Sequence, residues 1–340
     1  MNFQTLPPVG KIKDFLASGL TKARIHSQKK KQRSGTWQQK LRERERQKWE
    51  VLVGDITSRL IRINQRFPRL EELPRFYQML FAVQEDPFHY HKACAALRWA
   101  TQQINALHRQ QLGKLKTVQD SPAVEKLSRE LHGRIASVLK QVHAEGAYLE
   151  HCRNILRTFP DIKEIFTVCV YGFPNVGKTT LLNQLTGTQA KIAAYPFTTT
   201  SINVGYFRRG TQVIQIADVP GTLNRSEKLN PIEQQAELVV KEVAHVLLFV
   251  IDASENSGYT LDLQEMLLQR LREQMQEQKK KIIVYIRGGP MLPFPVPEKK
   301  FTSPQALQEY LLLLEKRYQE QKAGDKLQNC GKSVSGHIAT

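Results

Sequence analysis

The stretch that decides the reading is Ile165-Phe-Thr-Val-Cys-Val-Tyr171 followed at once by Gly172-Phe-Pro-Asn-Val-Gly-Lys-Thr-Thr180. The first part is a short run of apolar and β-branched residues, the pattern of a buried strand. The second fits G-x-x-x-x-G-K-[ST], a phosphate-cradling loop when it lies between a strand and a helix. A glycine at each end lets the backbone N–H groups of Asn175, Val176 and their neighbours wrap around an anion. The positive end of the following helix, starting near Lys178-Thr179-Thr180, adds to the attraction. Lys178 is expected to bridge β- and γ-phosphates, and the Thr179 hydroxyl to take one position on Mg²⁺. A purely structural glycine turn would not need the Lys-Thr pair, and the strand-to-helix context argues against it.

Downstream, Ile202–Phe207, Val213–Asp218, Val246–Asp252 and Lys281–Ile286 read as strands, and helices are predicted near 178–186, 231–244, 261–278 and 304–321. This alternation predicts a mostly parallel sheet with helices on both faces. Asp218-Val-Pro-Gly221 ends a strand about 40 residues after the phosphate loop, where a magnesium-linked Asp and a γ-phosphate-sensing Gly are expected. Tyr195-Pro-Phe-Thr198-Thr199-Thr200 supplies hydroxyls between the two motifs. Thr198 or Thr199 is expected to complete the Mg²⁺ shell when a γ-phosphate is present, the alternative being an ordinary polar turn.

Upstream, residues 51–160 carry a helical period throughout. Proline follows Leu73, Asp86 and Ser121, in positions that a first helical turn tolerates, with Asp86 and Ser121 as capping candidates. Val124, Leu127, Leu131, Ile135, Val138 and Val142 line one face of a helix predicted to run on toward Arg157 before Pro160. At 1.5 Å per residue it would be about 50 Å long. A helix that long needs neighbours to bury its stripe, which predicts a bundle. Lys126, Arg129, Arg134 and Lys140 lie on its opposite face, either solvated or turned toward phosphates.

The net charge of +18 over 340 residues points to a polyanionic partner. Residues 1–50 hold thirteen Lys or Arg against four Asp or Glu, half of the whole surplus. That segment reads as a basic arm, with a plain solvated tail as the alternative. Cys94, Cys152, Cys169 and Cys330 have no metal-ligand spacing and suit a reducing compartment. No apolar run reaches the roughly 18–20 residues needed to cross a bilayer.

Gly172-Phe-Pro-Asn-Val-Gly-Lys, Ala194-Tyr-Pro-Phe-Thr-Thr and Asp218-Val-Pro-Gly together resemble the Obg-related GTPases. Leu229-Asn-Pro-Ile-Glu-Gln-Gln-Ala236, Asp252-Ala-Ser-Glu-Asn-Ser-Gly-Tyr259, Phe67–Tyr77 and Gly133–Gln141 narrow the resemblance to the nucleolar GTP-binding protein 1 family, in a short archaeal-type form. The resemblance implies an α-helical bundle followed by an α/β P-loop GTPase domain, with GTP and Mg²⁺ as ligands. It implies work on ribosomal RNA in a large-subunit precursor, by a cytoplasmic, ribosome-associated protein, or a nucleolar one if the source is eukaryotic; the chain itself is expected to be monomeric when free and not to enter a membrane. The implied site is Gly172, Pro174, Asn175, Val176, Gly177, Lys178, Thr179, Thr180, Asp218 and Gly221 for the nucleotide. Thr179, Thr198, Thr199 and Asp218 are implied for the metal, with Lys178 and Thr199 catalytic. In related enzymes an Asn at the place of Asn175 helps to hold K⁺; the alternative is that it only shapes the turn. Thr222 stands where many GTPases carry a water-orienting Gln, so unassisted hydrolysis is expected to be slow.

One departure is large. After Lys281-Ile-Ile-Val-Tyr-Ile286 the family should show N-K-x-D, whose Asp accepts two hydrogen bonds from guanine, and this chain has Arg287-Gly-Gly-Pro290. Loss of a buried pairing of that kind can remove large factors of specificity. The domain boundaries expected are a basic arm at 1–50, a helical bundle at 51–160, a GTPase domain at 161–322 and a tail at 323–340. The rival readings are a degenerate GTPase acting as a static RNA-binding scaffold, an NTPase with relaxed base choice, and membrane-surface binding through the basic arm.

Overall fold

The computed structural model describes residues 3–29, 36–187, 203–218, 238–276, 278, 280–289 and 292–334, with side chains described as far as 324 and not at 29. The chain divides into two compact units, Asn2–Arg157 together and Thr158–Thr340 with Met1.

The first unit is helical. α1 (Phe15–Lys29) lies against α2 (Trp37–Arg66), α2 against α4 (Pro87–Leu115), and α4 against α5 (Ser121–Gln141). The short α3 (Arg75–Gln84) and α6 (His143–Thr158) complete it. Thr36 starts α2 with a reciprocal cap: its Oγ1 accepts from Gln39 N–H while Gln39 Oε1 accepts from Thr36 N–H. Asp86 caps α4 ahead of Pro87. At α5 the cap is Asp120, whose carboxylate accepts from Ala123 N–H at 2.8 Å, and not Ser121. A carboxylate suits this place because it also meets the positive helix end.

The apolar stripe of α5 is buried as its spacing predicts: Val124, Leu127, Leu131, Ile135 and Val138 all leave the surface, while Lys126, Arg129, Arg134 and Lys140 stay exposed. The long helix expected to reach Arg157 is two helices. Val142 takes φ −101° and ψ 8°, outside the helical well, and the chain restarts at His143. Side-chain periodicity is blind to a one-residue break of this kind. Residues 3–15 are not loose: Phe3, Leu6, Val9, Ile12 and Phe15 are buried, and Glu150 accepts from Val9 N–H at 2.7 Å.

Trp49 is the largest side chain with no exposure in this unit. Its indole N–H donates to Ser128 Oγ at 3.1 Å, and Ser128 in turn donates to Glu45 at 2.6 Å. Burial alone would push the Glu45 carboxyl up, but bonds from Lys48 and Ser128 outweigh it and hold the group below its ordinary value.

The second unit is built on a six-stranded sheet in the order β2-β3-β1-β4-β5-β6. The strands are β1 (Thr167–Tyr171), β2 (Asn203–Arg209), β3 (Gln212–Asp218), β4 (Val246–Asp252), β5 (Lys281–Arg287) and β6 (Lys299–Phe301). β2 and β3 form an antiparallel hairpin, and every other pairing is parallel. β1 and β4 are buried along their whole length, as parallel strands covered on both faces must be. The covering helices are α7 (Lys178–Thr186), α8 (Leu261–Gln276) and α9 (Pro304–Val334). β6 is absent from the strands that the sequence pattern predicts, because three residues, two of them lysines, carry no periodic signal.

Two polar groups lock the bottom of the sheet. Gln215, fully buried, accepts from Lys163 N–H and donates to Thr167 Oγ1 at 2.9 Å. His245 Nδ1 accepts from Thr167 N–H at 3.1 Å, so its ring must be neutral at that nitrogen. Burial, with Lys280 and Lys322 nearby, pushes this imidazole down to about 4.

Two predictions follow from these networks. Replacing Ser128 by Ala leaves the Trp49 N–H without a partner and should cost about 1–3 kcal/mol in urea unfolding of the helical unit. His245 has a folded pKa below its ordinary value of 6.5, so the folded state binds fewer protons than the unfolded one between pH 6.5 and about 4. Stability of the sheet unit should therefore fall as pH drops through that window. His245→Asn, whose amide oxygen can accept from Thr167, should flatten the slope in thermal melts at stepped pH.

Candidate nucleotide site

The candidate site sits where β1 ends and α7 begins. Gly172 has φ +147°, and a Cβ there would stand 2.7 Å from the Val250 carbonyl oxygen of the neighbouring strand, closer than any side chain tolerates. Asn175 follows with φ 63° and Gly177 with φ 99°. The loop is thus a sequence of left-handed turns, which aims successive N–H groups into one concavity. Val176 fills the loop's underside and is fully buried. α7 opens at Lys178 and runs nine residues, so its unpaired first-turn N–H groups face the same hollow.

Lys178 is 9% exposed and bends back over the loop, donating to the carbonyls of Gly172 at 2.9 Å and Phe173 at 2.8 Å. Burial lowers its pKa, and the Asp218 carboxylate partly offsets that. The ammonium therefore stands across the loop mouth, fixed by the same backbone that would surround an anion. Phe173 is held from outside by Tyr259, whose ring stacks on it at 4.3 Å between centroids and 20° between planes.

On the β3 side, Thr179 Oγ1 donates to Asp218 Oδ2 at 2.8 Å, and Asp218 is 6% exposed. The sequence separates these residues by 39 positions, and the pairing of Val170 with Asp218 brings β3 alongside β1 to close the gap. Two hard oxygens converging beside a phosphate loop fit a Mg²⁺ site that keeps its remaining positions for phosphate and water. Among the described residues no group of three His, Cys, Asp or Glu converges to hold a metal by protein ligands alone. Of the residues singled out from sequence, Gly172, Pro174, Asn175, Val176, Gly177, Lys178, Thr179, Thr180 and Asp218 gather here; Thr198, Thr199, Gly221 and Thr222 lie outside the described residues.

The β4 and β5 ends complete the rim. Asp252 accepts from Ser254 Oγ at 2.6 Å and from Ser257 N–H at 2.8 Å. Burial raises its pKa, and these bonds outweigh that and hold the carboxyl low. Its oxygens thus serve the loop that carries Tyr259. Where a base-reading N-K-x-D is missing from the sequence, Arg287 ends β5 and lays its side chain over Gly177: a Cβ on that glycine would meet Arg287 Nη1 at 2.6 Å and Cδ at 3.2 Å. Sequence reading marked this segment only as a loss.

The helical unit carries a separate cleft of about 870 Å³, lined by Arg66, Arg69, Arg98, His91, Glu71 and Glu72 among others, with Arg69 paired to Glu72 at 2.9 Å and His91 to Glu71 at 3.1 Å. Its arginines come from α2, the following turn and α4, so nothing in the linear sequence groups them. No helix among the described residues is long and apolar enough to cross a membrane.

Residues 167–287 match the family described as 50S ribosome-binding GTPase, and residues 3–163 match the NOG1 N-terminal helical domain. An uncharacterised protein of Methanocaldococcus jannaschii is 34% identical over 272 residues, covering 80% of this chain and 77% of that protein. Nucleolar GTP-binding protein 1 of Drosophila melanogaster is 31% identical over 216 residues, 63% of this chain and 33% of its own length. The chain thus matches about a third of that relative. The solved G domain of the T. maritima FeoB iron transporter is 29% identical, with 37% of this chain and 73% of that one covered at a TM-score of 0.29. With a helical half and a phosphate-loop half matched in order along one chain, it belongs to the nucleolar GTP-binding protein 1 family.

Proposed function

We propose that this protein is a slow Mg²⁺-dependent GTPase that acts as a switch in assembly of the large ribosomal subunit, touching ribosomal RNA through its helical unit. The observation that carries the reading is the placement of Lys178 over the carbonyls of Gly172 and Phe173, beside the Thr179–Asp218 pair and at the start of α7. Thr179 and Asp218, with Thr198 or Thr199, would hold Mg²⁺, which would supply neutralisation of phosphate charge. Lys178 exchanges its two carbonyl partners for phosphate oxygens and draws the triphosphate into line. The N–H groups of the loop and of α7 orient the phosphates. Thr198–Thr200 and the segment after Gly221 respond to the γ-phosphate, and their ordering alters the surface offered to a pre-ribosome. Thr222 cannot orient water as an amide would, so unassisted turnover should be on the order of 10⁻⁴–10⁻² s⁻¹. Asn175 is the residue through which K⁺ would raise that rate.

The RNA-facing surface rests on the exposed Arg129, Arg134 and Lys140 of α5 and on the arginine-lined cleft. Phosphate contacts of this sort give salt-dependent affinity with little sequence choice.

Equilibrium titration of the purified chain with labelled GTP, GDP and ATP, with and without Mg²⁺, tests the proposal. Lys178→Ala should lose GTP binding at least tenfold while leaving RNA binding intact; retention of full GTP affinity would remove Lys178 from the site. Binding to none of the nucleotides would leave an RNA-binding scaffold, the reading that the altered 287–290 segment favours. Replacing Arg66 and Arg98 together by Ala should weaken binding to ribosomal RNA and reduce the slope of log K against log salt by about 2. An unchanged slope would place the RNA elsewhere.

A further inference from the structure

We infer that Arg287 reads the nucleobase, selecting a 6-oxopurine by its O6 and N7 acceptors in place of a carboxylate that would grip N1–H and the 2-amino group. The inference deepens the nucleotide-binding proposal above and rests on it.

The sheet sets the direction in which a nucleotide must lie. Thr179 and Asp218 meet on the β3 side of β1, so the metal and the terminal phosphate belong there. We place the nucleoside on the opposite side, over β4 and β5, since ligands of open α/β sheets lie outside the carboxyl ends of the strands. Neighbouring strands are about 4.8 Å apart, so β5 stands roughly 10 Å from β1. Arg287 is the last residue of β5, paired with Asp252 of β4, and Ala253 N–H donates to its carbonyl at 2.8 Å. Its backbone is thereby fixed at the rim. From that anchor the side chain spans the gap back to Gly177, with Nη1, Cδ and Cζ all close to the glycine. The residue is exposed, and among the described residues no carboxylate pairs with its guanidinium.

The chemistry follows from what a guanidinium can do. It donates through five N–H bonds and accepts none. Guanine and hypoxanthine offer two adjacent acceptors, O6 and N7, which match that fork; adenine sets an N6 amino donor beside N7 and meets it with a clash of donors. The 2-amino group lies on the far edge of the base, so its presence is not felt by Arg287. A site reading this edge rejects adenine and treats inosine and guanosine nucleotides alike, whereas a carboxylate reader would separate the latter two.

The test is equilibrium binding of GDP, IDP, ADP and 7-deaza-GDP to the full chain and to its Arg287→Ala and Arg287→Lys variants. The expected result is GDP and IDP within about twofold of each other, with ADP weaker by about 5- to 150-fold. 7-Deaza-GDP, lacking N7, should bind more weakly than GDP. Arg287→Ala should bring GDP and IDP down toward ADP while ADP affinity stays near its starting value, which also reports that the variant is folded. Arg287→Lys keeps the charge without the fork and should recover only part of the selectivity. Equal losses for all four nucleotides would assign Arg287 to phosphate and overturn the inference, as would no change for any of them. IDP much weaker than GDP would overturn it too, since some other group would then read the 2-amino. Failure of the unaltered chain to bind any nucleotide is a different outcome, which removes the parent proposal and this one with it.

Discussion

The Lys178 ammonium, 9% exposed and held by two backbone carbonyls, is the constraint around which the sheet unit is arranged. A buried cation is costly unless it is solvated by the protein. The carbonyls of Gly172 and Phe173 do that here, and they can do it only because the loop turns back on itself. That turn requires a glycine where Val250's carbonyl crowds the chain. It also requires the positive φ values at Asn175 and Gly177. The turn of the loop and the charge of the lysine thus support one another.

Much of this was legible in the sequence because the chemistry is local. A strand, a loop of fixed spacing and a helix lie within about twenty consecutive residues, and five of the six strands announced themselves by apolar runs. Val246–Asp252 was placed to the residue, since a fully buried parallel strand has no polar position to blur its ends. What stayed hidden depends on groups brought together from afar. The break at Val142 changes no side-chain period. β6 is too short and too charged to be seen. The arginines of the helical cleft come from separate elements. Arg287 is the sharpest case: a motif-based reading registers what is absent from positions 287–290, and only the fold shows which side chain came to lie over the phosphate loop in its stead.

The two units differ in how they hold polar groups, and the difference follows from their construction. In the helical unit one chain of side chains, Trp49–Ser128–Glu45, links α2 to α5, while Thr57 and Thr101 return their hydroxyls to carbonyls of their own helices. In the sheet unit polar groups tie side chain to backbone at strand ends, through Gln215, His245 and Asp252. A bundle satisfies its own backbone within each helix and needs side-chain links only to fix rotation and depth. A sheet leaves backbone groups open wherever a strand stops, and there a side chain must finish the pairing.

The β2–β3 hairpin has a mechanical side. Asn203 and Asp218 are opposite one another on its last rung, while the other end closes in a tight turn between Arg209 and Gln212. One of that pair is the carboxylate that bonds Thr179, so the rung that ends the hairpin is also the point at which it is fastened to the phosphate loop.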